Sequence, residues 1–249
     1  MKKLFFYALL LTVGLLQSCS VNTETMYFKD ATFTTQLDLD AGEMLGMMKD
    51  FAAQDSSDIG SMSELENLPK DWTSFYDLQL ADGKEIPKDK DSIRLMKKSF
   101  LKSNYNNDEV SGFSIKMEKF TQKEYEGFSF LNSDNIGEMG FAKQAFTQWD
   151  GKTLTIDTSD FNSNFLSKKL SEEDGSESAE LESMMQMLDM KMQSTLKFEN
   201  KIKSIEGKHD WVKQLDDYTV VINFDLRRSA DDKASPLKND DKKIIIKTQ

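Results

Sequence analysis

Cys19 carries the only thiol of the 249-residue chain and follows an apolar run from Leu4 to Leu16. A thiol acts as a nucleophile, a metal ligand, a disulfide partner or an attachment point for another group. A catalytic thiol needs a neighbouring base, and no family cysteine motif surrounds Cys19. A disulfide within the chain needs a second cysteine, which is absent. The position of Cys19 shortly after an apolar run therefore favours a thiol to which another group is attached.

The residues before Cys19 indicate what is attached. Two lysines followed by about a dozen apolar residues are typical of a secretion signal, and the run is shorter than the roughly 20 residues of a membrane-spanning helix. Leu16, Gln17, Ser18 and Cys19 look like a bacterial lipobox. That resemblance implies removal of residues 1–18, a diacylglyceryl thioether on Cys19 and an acyl chain such as palmitate on its new amine. The alternative is an ordinary secretory signal with a chance cysteine.

His209 lies in GKHDW beside Asp210. Neighbouring side chains in a chain usually point apart, and no serine has the G-x-S-x-G context of a hydrolase nucleophile. We interpret His209 as a turn or surface residue. One histidine and one lipidated cysteine supply too few ligands for a tetrahedral zinc site, so no metal and no other cofactor is predicted.

Methionine is unusually frequent, with 14 residues, several of them at helical spacing in GEMLGMMKDF and LESMMQMLDM. Thioethers favour Cu(I). The same positions form the apolar stripe that an amphipathic helix buries, where methionine is an adaptable filler. We therefore favour a core or an adaptable apolar groove over a copper site. The predicted groove residues are Met44, Leu45, Met48, Met184, Met185 and Leu188.

Acidic residues outnumber basic ones by 43 to 32, and loss of residues 1–18 leaves a net charge of −13. This charge argues against nucleic acid, which is bound through lysine and arginine. Acidic clusters such as SEED do not fit the calcium-loop pattern and are interpreted as solvated loops. Paired carboxylates for glycoside hydrolysis depend on three-dimensional spacing, so that chemistry stays open.

The first elements behind the anchor are a tether and a hairpin. Residues 19–24 are interpreted as a lipidated tether. Thr32–Asp40 alternates between apolar and polar residues and predicts a strand paired with Met26–Phe28. Asp40 and Glu43 then predict a helix start.

Further helices and strands follow the same patterns. Helices are predicted over Pro87–Asn104, with Ile93, Met96 and Phe100 on one stripe, over Ser133–Phe146, and from Glu180 to Met192. Asp150-Gly151 predicts a hairpin turn. The remaining predicted strands are VSGFSIKMEKF, YEGFSFL, STLKFE, KIKSIEG, YTVVINFDL and KKIIIKT.

This element order predicts an α+β fold, with antiparallel sheets and three to four amphipathic Met-rich helices packed on one face. Residues 25–249 would form a single domain with mobile loops near 54–68 and 161–179. The two similar Met-rich segments permit two related halves, about 25–160 and 180–249.

The lipobox, the segment LDLDAGEMLGMMKDF and the late FENKIKSIEG and YTVVINFDL stretches resemble uncharacterised envelope lipoproteins of Bacteroidetes. The resemblance implies an outer-membrane lipid anchor, with no catalytic residues to transfer. Only one acid occurs in SVNTET after Cys19, which favours the periplasmic face over surface export.

We therefore expect a membrane-anchored, non-enzymatic binding module for a partner protein or an apolar ligand. A structural or assembly factor of the outer membrane is the first alternative. A carboxylate-dependent hydrolase of envelope glycans is the second, and it requires acids that converge in one cleft with raised pKa values.

Overall fold

The computed structural model describes residues 20–42, 45–46, 67–127, 147–159, 191–224 and 237–249. These residues form two β-sheets and three short helices. The helices are α1 (Phe75–Ala81), α2 (Lys90–Lys97) and α3 (Gln122–Gly127). The strands are β1 (Ser20–Tyr27), β2 (Thr32–Asp40), β3 (Thr73–Ser74), β4 (Ser99–Asn106), β5 (Glu109–Thr121), β6 (Thr147–Trp149), β7 (Thr153–Asp157), β8 (Lys191–Phe198), β9 (Ile202–Glu206), β10 (Val212–Asp216), β11 (Thr219–Phe224) and β12 (Lys243–Thr248).

The large sheet has eight strands in the order β10-β11-β8-β1-β2-β5-β4-β3, and the small sheet has four in the order β6-β7-β12-β9. The strand pair β1 and β8 is parallel, whereas the other described pairs of strands are antiparallel. The expectation of purely antiparallel sheets was therefore wrong at the centre of the large sheet. Both sheets combine strands from the 25–160 and 180–249 ranges.

One face of the large sheet is buried in the core and the other faces outward. In β2 the predicted alternation is confirmed, since Phe33, Thr35 and Leu39 are buried. β1 alternates in the same way, but two of its buried residues are threonines. The hydroxyl of Thr25 lies 2.9 Å from that of Thr35, and the hydroxyl of Thr23 hydrogen-bonds that of Ser194. Cross-strand hydrogen bonds thus satisfy these polar groups inside the core.

The small sheet packs against the end of the large sheet that holds Tyr27 and Phe198. The Trp149 ring lies 5.3 Å from that of Tyr27 and 5.8 Å from that of Phe198, and its Nε1–H donates to the Phe28 carbonyl at 2.8 Å. The predicted hairpin at Asp150 is confirmed. The Asp150 carboxylate accepts the N–H of Lys152 at 2.8 Å and that of Thr153 at 2.7 Å.

The predicted fold class was wrong because the described chain is mostly β, not an α+β fold with three to four Met-rich helices. Each described helix has six to eight residues, and α2 holds Met96 as its single methionine. None of the described helices combines the length and the apolar character required to cross a membrane. The predicted helix over Ser133–Phe146 lies outside the described residues.

Four boundary predictions were also wrong. Residues 20–24 belong to β1 rather than to a tether, because Val21 and Thr23 take core positions. The helix predicted over 87–104 ends at Lys97, and β4 follows from Ser99. The YEGFSFL stretch begins as the end of α3, not as a strand. Met192 lies in β8 and not at the end of a helix.

Candidate functional site

The predicted anchor residues Leu16, Gln17, Ser18 and Cys19 lie outside the described residues. The structure does describe the residue that follows them. Ser20 is the first residue of β1 and is paired with Asp40 of β2 on one side and Lys191 of β8 on the other. The residue that follows the predicted lipidation site is therefore already part of the folded sheet.

Of the predicted groove residues, only Leu45 is described, and Met44, Met48, Met184, Met185 and Leu188 lie outside the described ranges. Leu45 is 5% exposed and belongs to the hydrophobic core. Its N–H donates to the Ala41 carbonyl at 2.9 Å, which is a helical contact just behind β2. The Leu45 side chain thus packs inside the domain, and the groove stays a prediction.

The outward face of the large sheet is polar and mixed in charge. One row follows the register through Asn223, Gln193, Asn22, Asp38, Ser114 and Lys102. Asn223, Gln193 and Asn22 are exposed, whereas Ser114 is buried. Within this row the Ser114 hydroxyl donates to Asp38 at 2.5 Å, and the Gln193 amide donates to Asn223 at 2.9 Å. Glu24 lies in the next row and forms an ion pair at 2.7 Å with Lys197, which lies one row further along the strands. Such a surface offers donors, acceptors and both signs of charge.

An aromatic cluster marks one side of this face, and we call Trp72, Phe100, Lys102 and Lys116 the Trp72 cluster. The Lys116 ammonium lies 5.0 Å from the Trp72 ring centre and 5.1 Å from that of Phe100, while Lys102 lies 5.2 Å from Trp72. Lys116 also pairs with Glu118 at 2.7 Å. Each cation–π contact at an exposed site contributes about 0.5–1 kcal/mol.

The Trp72 cluster was not found from the sequence. Its signal is the alternation of Phe100 and Lys102 with buried Leu101, which is typical of a strand with one outward face. Phe100 also fits the helical stripe of Ile93 and Met96, so it was assigned to the predicted helix over Pro87–Asn104. For this reason β4 was not predicted as a strand.

His209 is buried, so its interpretation as a surface residue was wrong, although it does lie at a turn. The residue is 4% exposed, and its Nδ1 accepts the Trp211 N–H at 3.2 Å. That bond places the proton of the neutral ring on Nε2, which lies 3.5 Å from a carboxylate oxygen of Asp240. Burial lowers the pKa of His209, and the nearby Asp240 carboxylate opposes this only in part.

The surroundings of His209 join two segments of the chain. The Asp210 carboxylate accepts the N–H groups of Lys238 at 2.7 Å and Asn239 at 3.2 Å, and Asp241 accepts that of Lys208 at 2.7 Å. The imidazole packs edge-on against Trp211 at 5.3 Å. These contacts give His209 and its neighbours a structural role.

Several described carboxylates have shifted pKa values, and the shifts are downward. Hydrogen bonds from Thr32, Ser92 and Ser159 lower the pKa values of Asp30, Asp89 and Asp157, respectively. Burial acts to raise the pKa of Glu124, but hydrogen bonds from Thr121 and Arg94 outweigh it. Lowered values stabilise the charged form, which is opposite to what a general acid requires. Among the described residues, no group of three or more His, Cys, Asp or Glu residues is placed to hold a metal ion.

Comparison with known proteins gives one distant structural match. No protein-family model and no curated protein matches the chain. The folded domain of the Mycobacterium tuberculosis LppM protein, solved by NMR, overlaps with a TM-score of 0.38 and 10% identity over 93% of this chain and 90% of that one. An overlap of this size carries no argument about fold or function. The resemblance to Bacteroidetes envelope lipoproteins stays a prediction.

Proposed function

We propose that this protein is a lipoprotein of the cell envelope. A diacylglyceryl thioether on Cys19 holds it to the outer membrane on the periplasmic side, and the β-rich domain is a non-enzymatic module that binds a partner protein. The proposal is carried by the lipobox, which ends at Cys19, and by the pairing of the next residue, Ser20, with strands on both sides.

The pairing of Ser20 favours cleavage before Cys19 over cleavage further along the chain. Val21 is fully buried, and Thr23 and Thr25 form hydrogen bonds within the core. Cleavage beyond Ser20, as an ordinary secretory signal would permit, removes part of a strand that is paired on both sides. Cleavage at the lipobox keeps every described residue of β1.

A binding role is supported by the outward face of the large sheet. The exposed side chains of Asn22, Glu24, Gln193 and Asn223 lie on neighbouring strands of this face and offer polar groups to a partner. The Trp72 cluster supplies the aromatic groups that interfaces favour. Alternating charges such as Glu24 and Lys197 suit a protein surface of mixed charge.

The anchor is tested by metabolic labelling with a palmitate analogue, followed by membrane fractionation. We expect Cys19→Ala to lose the label and to leave the membrane fraction, because its sulfur is the attachment point. Ser18→Ala keeps a small residue before the cleavage site and should behave like the unaltered protein. Retention of Cys19→Ala in the membrane fraction, together with its label, would refute the proposal.

The binding face is tested by photo-crosslinking in cells. A crosslinker at Asn22 or Gln193 faces outward from the large sheet, whereas one at exposed Lys203 lies on β9 of the small sheet. We expect one discrete crosslinked species from the first two positions and none from Lys203. Loss of that species in Trp72→Ala would link it to the aromatic cluster, and equal crosslinking from all three positions would argue against a defined face.

A further inference from the structure

We propose that the end of the large sheet at Ser20 rests on the lipid headgroups and that the strands rise away from the bilayer, with the β4–β5 hairpin in contact with the headgroups. This inference rests on the proposed lipidation of Cys19. It adds an interaction surface whose partner is a bilayer of zwitterionic lipid.

No spacer separates Cys19 from the first described residue of the sheet, Ser20. Ser20 is already held by pairing with both neighbouring strands. Consecutive Cα atoms are about 3.8 Å apart, so an acylated Cys19 must lie within one residue of the sheet. Torsions at this junction allow the domain to tilt, but they leave no room for it to move away from the membrane.

Among the described strands, β4 and β5 project beyond the level of Ser20. The register aligns Ser20 with Asp40, Gly112 and Asn104. Beyond that level the β4–β5 hairpin continues to Asn106 and Glu109, about 7 Å further at roughly 3.3 Å per residue. Asn107 and Asp108 close it with φ values of 50° and 67°, as a tight type I′ turn requires. The hairpin tip lies about 14 Å sideways from the anchor, three strand spacings away.

The side chains at the Ser20 end of the large sheet are aromatic, basic and acidic. Tyr105 is 38% exposed, with the Lys70 ammonium 5.1 Å from its ring centre. The Tyr105 hydroxyl lies 3.3 Å from that of Ser103, so its tip points back along β4. The exposed Lys70 suits the headgroup region, because its stem is apolar and its tip is charged. Asp40, Asp108 and Glu109 are exposed carboxylates that keep the contact at headgroup level.

The opposite end of the sheet is held away from the membrane. The turn between β10 and β11 at Asp217 lies level with the end of β1, because Thr219 pairs with Lys197 and Lys197 with Met26. That level is about 20 Å from Ser20 along the strands. Asp217 and Asn106 thus lie a similar distance to either side of the anchor but at opposite ends of the sheet.

The test uses the lipidated protein in phosphatidylcholine vesicles that carry a nitroxide on the headgroup. The Cys19 sulfur is blocked by its thioether, so a cysteine introduced as Asn106→Cys or as Asp217→Cys is the single reactive thiol. Each is labelled with a fluorophore. We expect several-fold stronger quenching at position 106 than at 217. A long Gly-Ser insertion between Cys19 and Ser20 should remove the difference, since it frees the domain.

The outcomes separate the two proposals. Vesicle flotation first reports whether the protein is anchored, and failure to float with a free Cys19 thiol would refute lipidation. If the protein floats, equal quenching at both positions, as in a sheet lying flat on the bilayer, would overturn the upright orientation alone. Stronger quenching at 217 would overturn it as well.

Discussion

His209 makes the stability of the fold depend on pH, because its ring is buried in the folded chain. The folded form disfavours the charged imidazolium, so the pKa of His209 lies below its ordinary value of 6.5. Asp240, Asp210, Asp241 and Lys242 are the charges that surround it, and they do not reverse the effect of burial. Unfolding exposes the ring to water and returns its pKa to the ordinary value.

We predict that the free energy of unfolding falls as the pH is lowered below about 6.5, by at most about 1.4 kcal/mol per pH unit. The unfolded chain binds a proton more readily than the folded chain, so stability is complete above 6.5 and is lost as the pH falls. Urea unfolding between pH 7.5 and 5.5 measures this slope. His209→Gln should flatten it, whereas exposed Lys208→Gln should not.

A proton NMR titration gives an independent check, since the chain has one histidine and hence one imidazole. Its ring protons should titrate below the ordinary value in the folded protein. A pKa at or above 6.5 would contradict the burial argument whatever the variants do.

Gly112 shows how closely two strands approach in the large sheet. Its φ is 154°, and a Cβ at this position would lie 2.0 Å from the Leu39 carbonyl oxygen. Because that oxygen belongs to the backbone of β2, the clash cannot be relieved by a rotamer change.

We predict that Gly112→Ala lowers the free energy of unfolding by about 3 kcal/mol or more, as strain of this kind does. Gly127→Ala is the matched control, since nothing lies within 4 Å of its added Cβ. Chemical denaturation of both variants makes the comparison. Equal stability of the two variants would contradict the described register of β2 and β5.

At the scale of elements, α3 begins with a capping box that also connects it to α2. Glu124 accepts the Thr121 N–H at 2.8 Å, and the Thr121 hydroxyl accepts the Glu124 N–H at 3.2 Å. The Arg94 guanidinium pairs with Glu124 at 2.6 Å. One carboxylate therefore caps one helix and binds the other.

We predict that Glu124→Ala costs about 1 kcal/mol or more of unfolding free energy, because it removes a helix cap and the Arg94 partner. Glu124→Gln keeps an acceptor oxygen and should cost less. Thermal unfolding measured beside exposed Lys123→Ala is the check, and a Glu124→Ala loss no larger than that of Lys123→Ala would contradict this role.

The elements that sequence patterns predicted are those with apolar residues on the buried face. β2 and β5 alternate apolar and polar residues, β11 and β12 each contain three consecutive apolar residues, and Asp150-Gly151 marks its hairpin. β1 was missed over residues 20–24 because two of its core positions hold threonine, whose burial depends on hydroxyl partners from β2 and β8. Those partners are distant in sequence, so no local pattern could indicate them.

At the scale of the whole molecule, the parallel pair of β1 and β8 joins the first and last parts of the chain. Both β1 and β8 have a paired strand on each side, whereas β10 lies at one edge of the large sheet. Parallel pairing across 171 residues, as between Thr23 and Ser194, has no signal in local sequence. The predicted antiparallel order failed for this reason.

We predict that the amides of Val21, Thr23 and Thr25 are among the slowest to exchange with deuterium. Their exchange should require global unfolding, with an opening free energy of about 5–15 kcal/mol. The amides of β10 should exchange faster. Mass spectrometry of peptides covering residues 20–27 makes the measurement, and unprotected exchange over 20–24 would restore the tether interpretation.

One part of the candidate site can be predicted from a local sequence motif, and the other part depends on contacts between distant segments of the chain. Lipidation of Cys19 is predicted from a contiguous motif of four residues. The outward face and the Trp72 cluster depend on which strands become neighbours, since Trp72 precedes β3 while Lys116 lies in β5. Composition and periodicity alone do not supply that order.

The central claim is that the mature protein begins at Cys19, carries lipid on that residue and folds from Ser20 onward. Intact mass and N-terminal peptide analysis of protein extracted from membranes test it most directly. The account predicts a chain of residues 19–249 carrying a diacylglyceryl group and an amide-linked acyl chain, all on Cys19. A chain that starts elsewhere, or one with an unmodified Cys19 thiol, would contradict it.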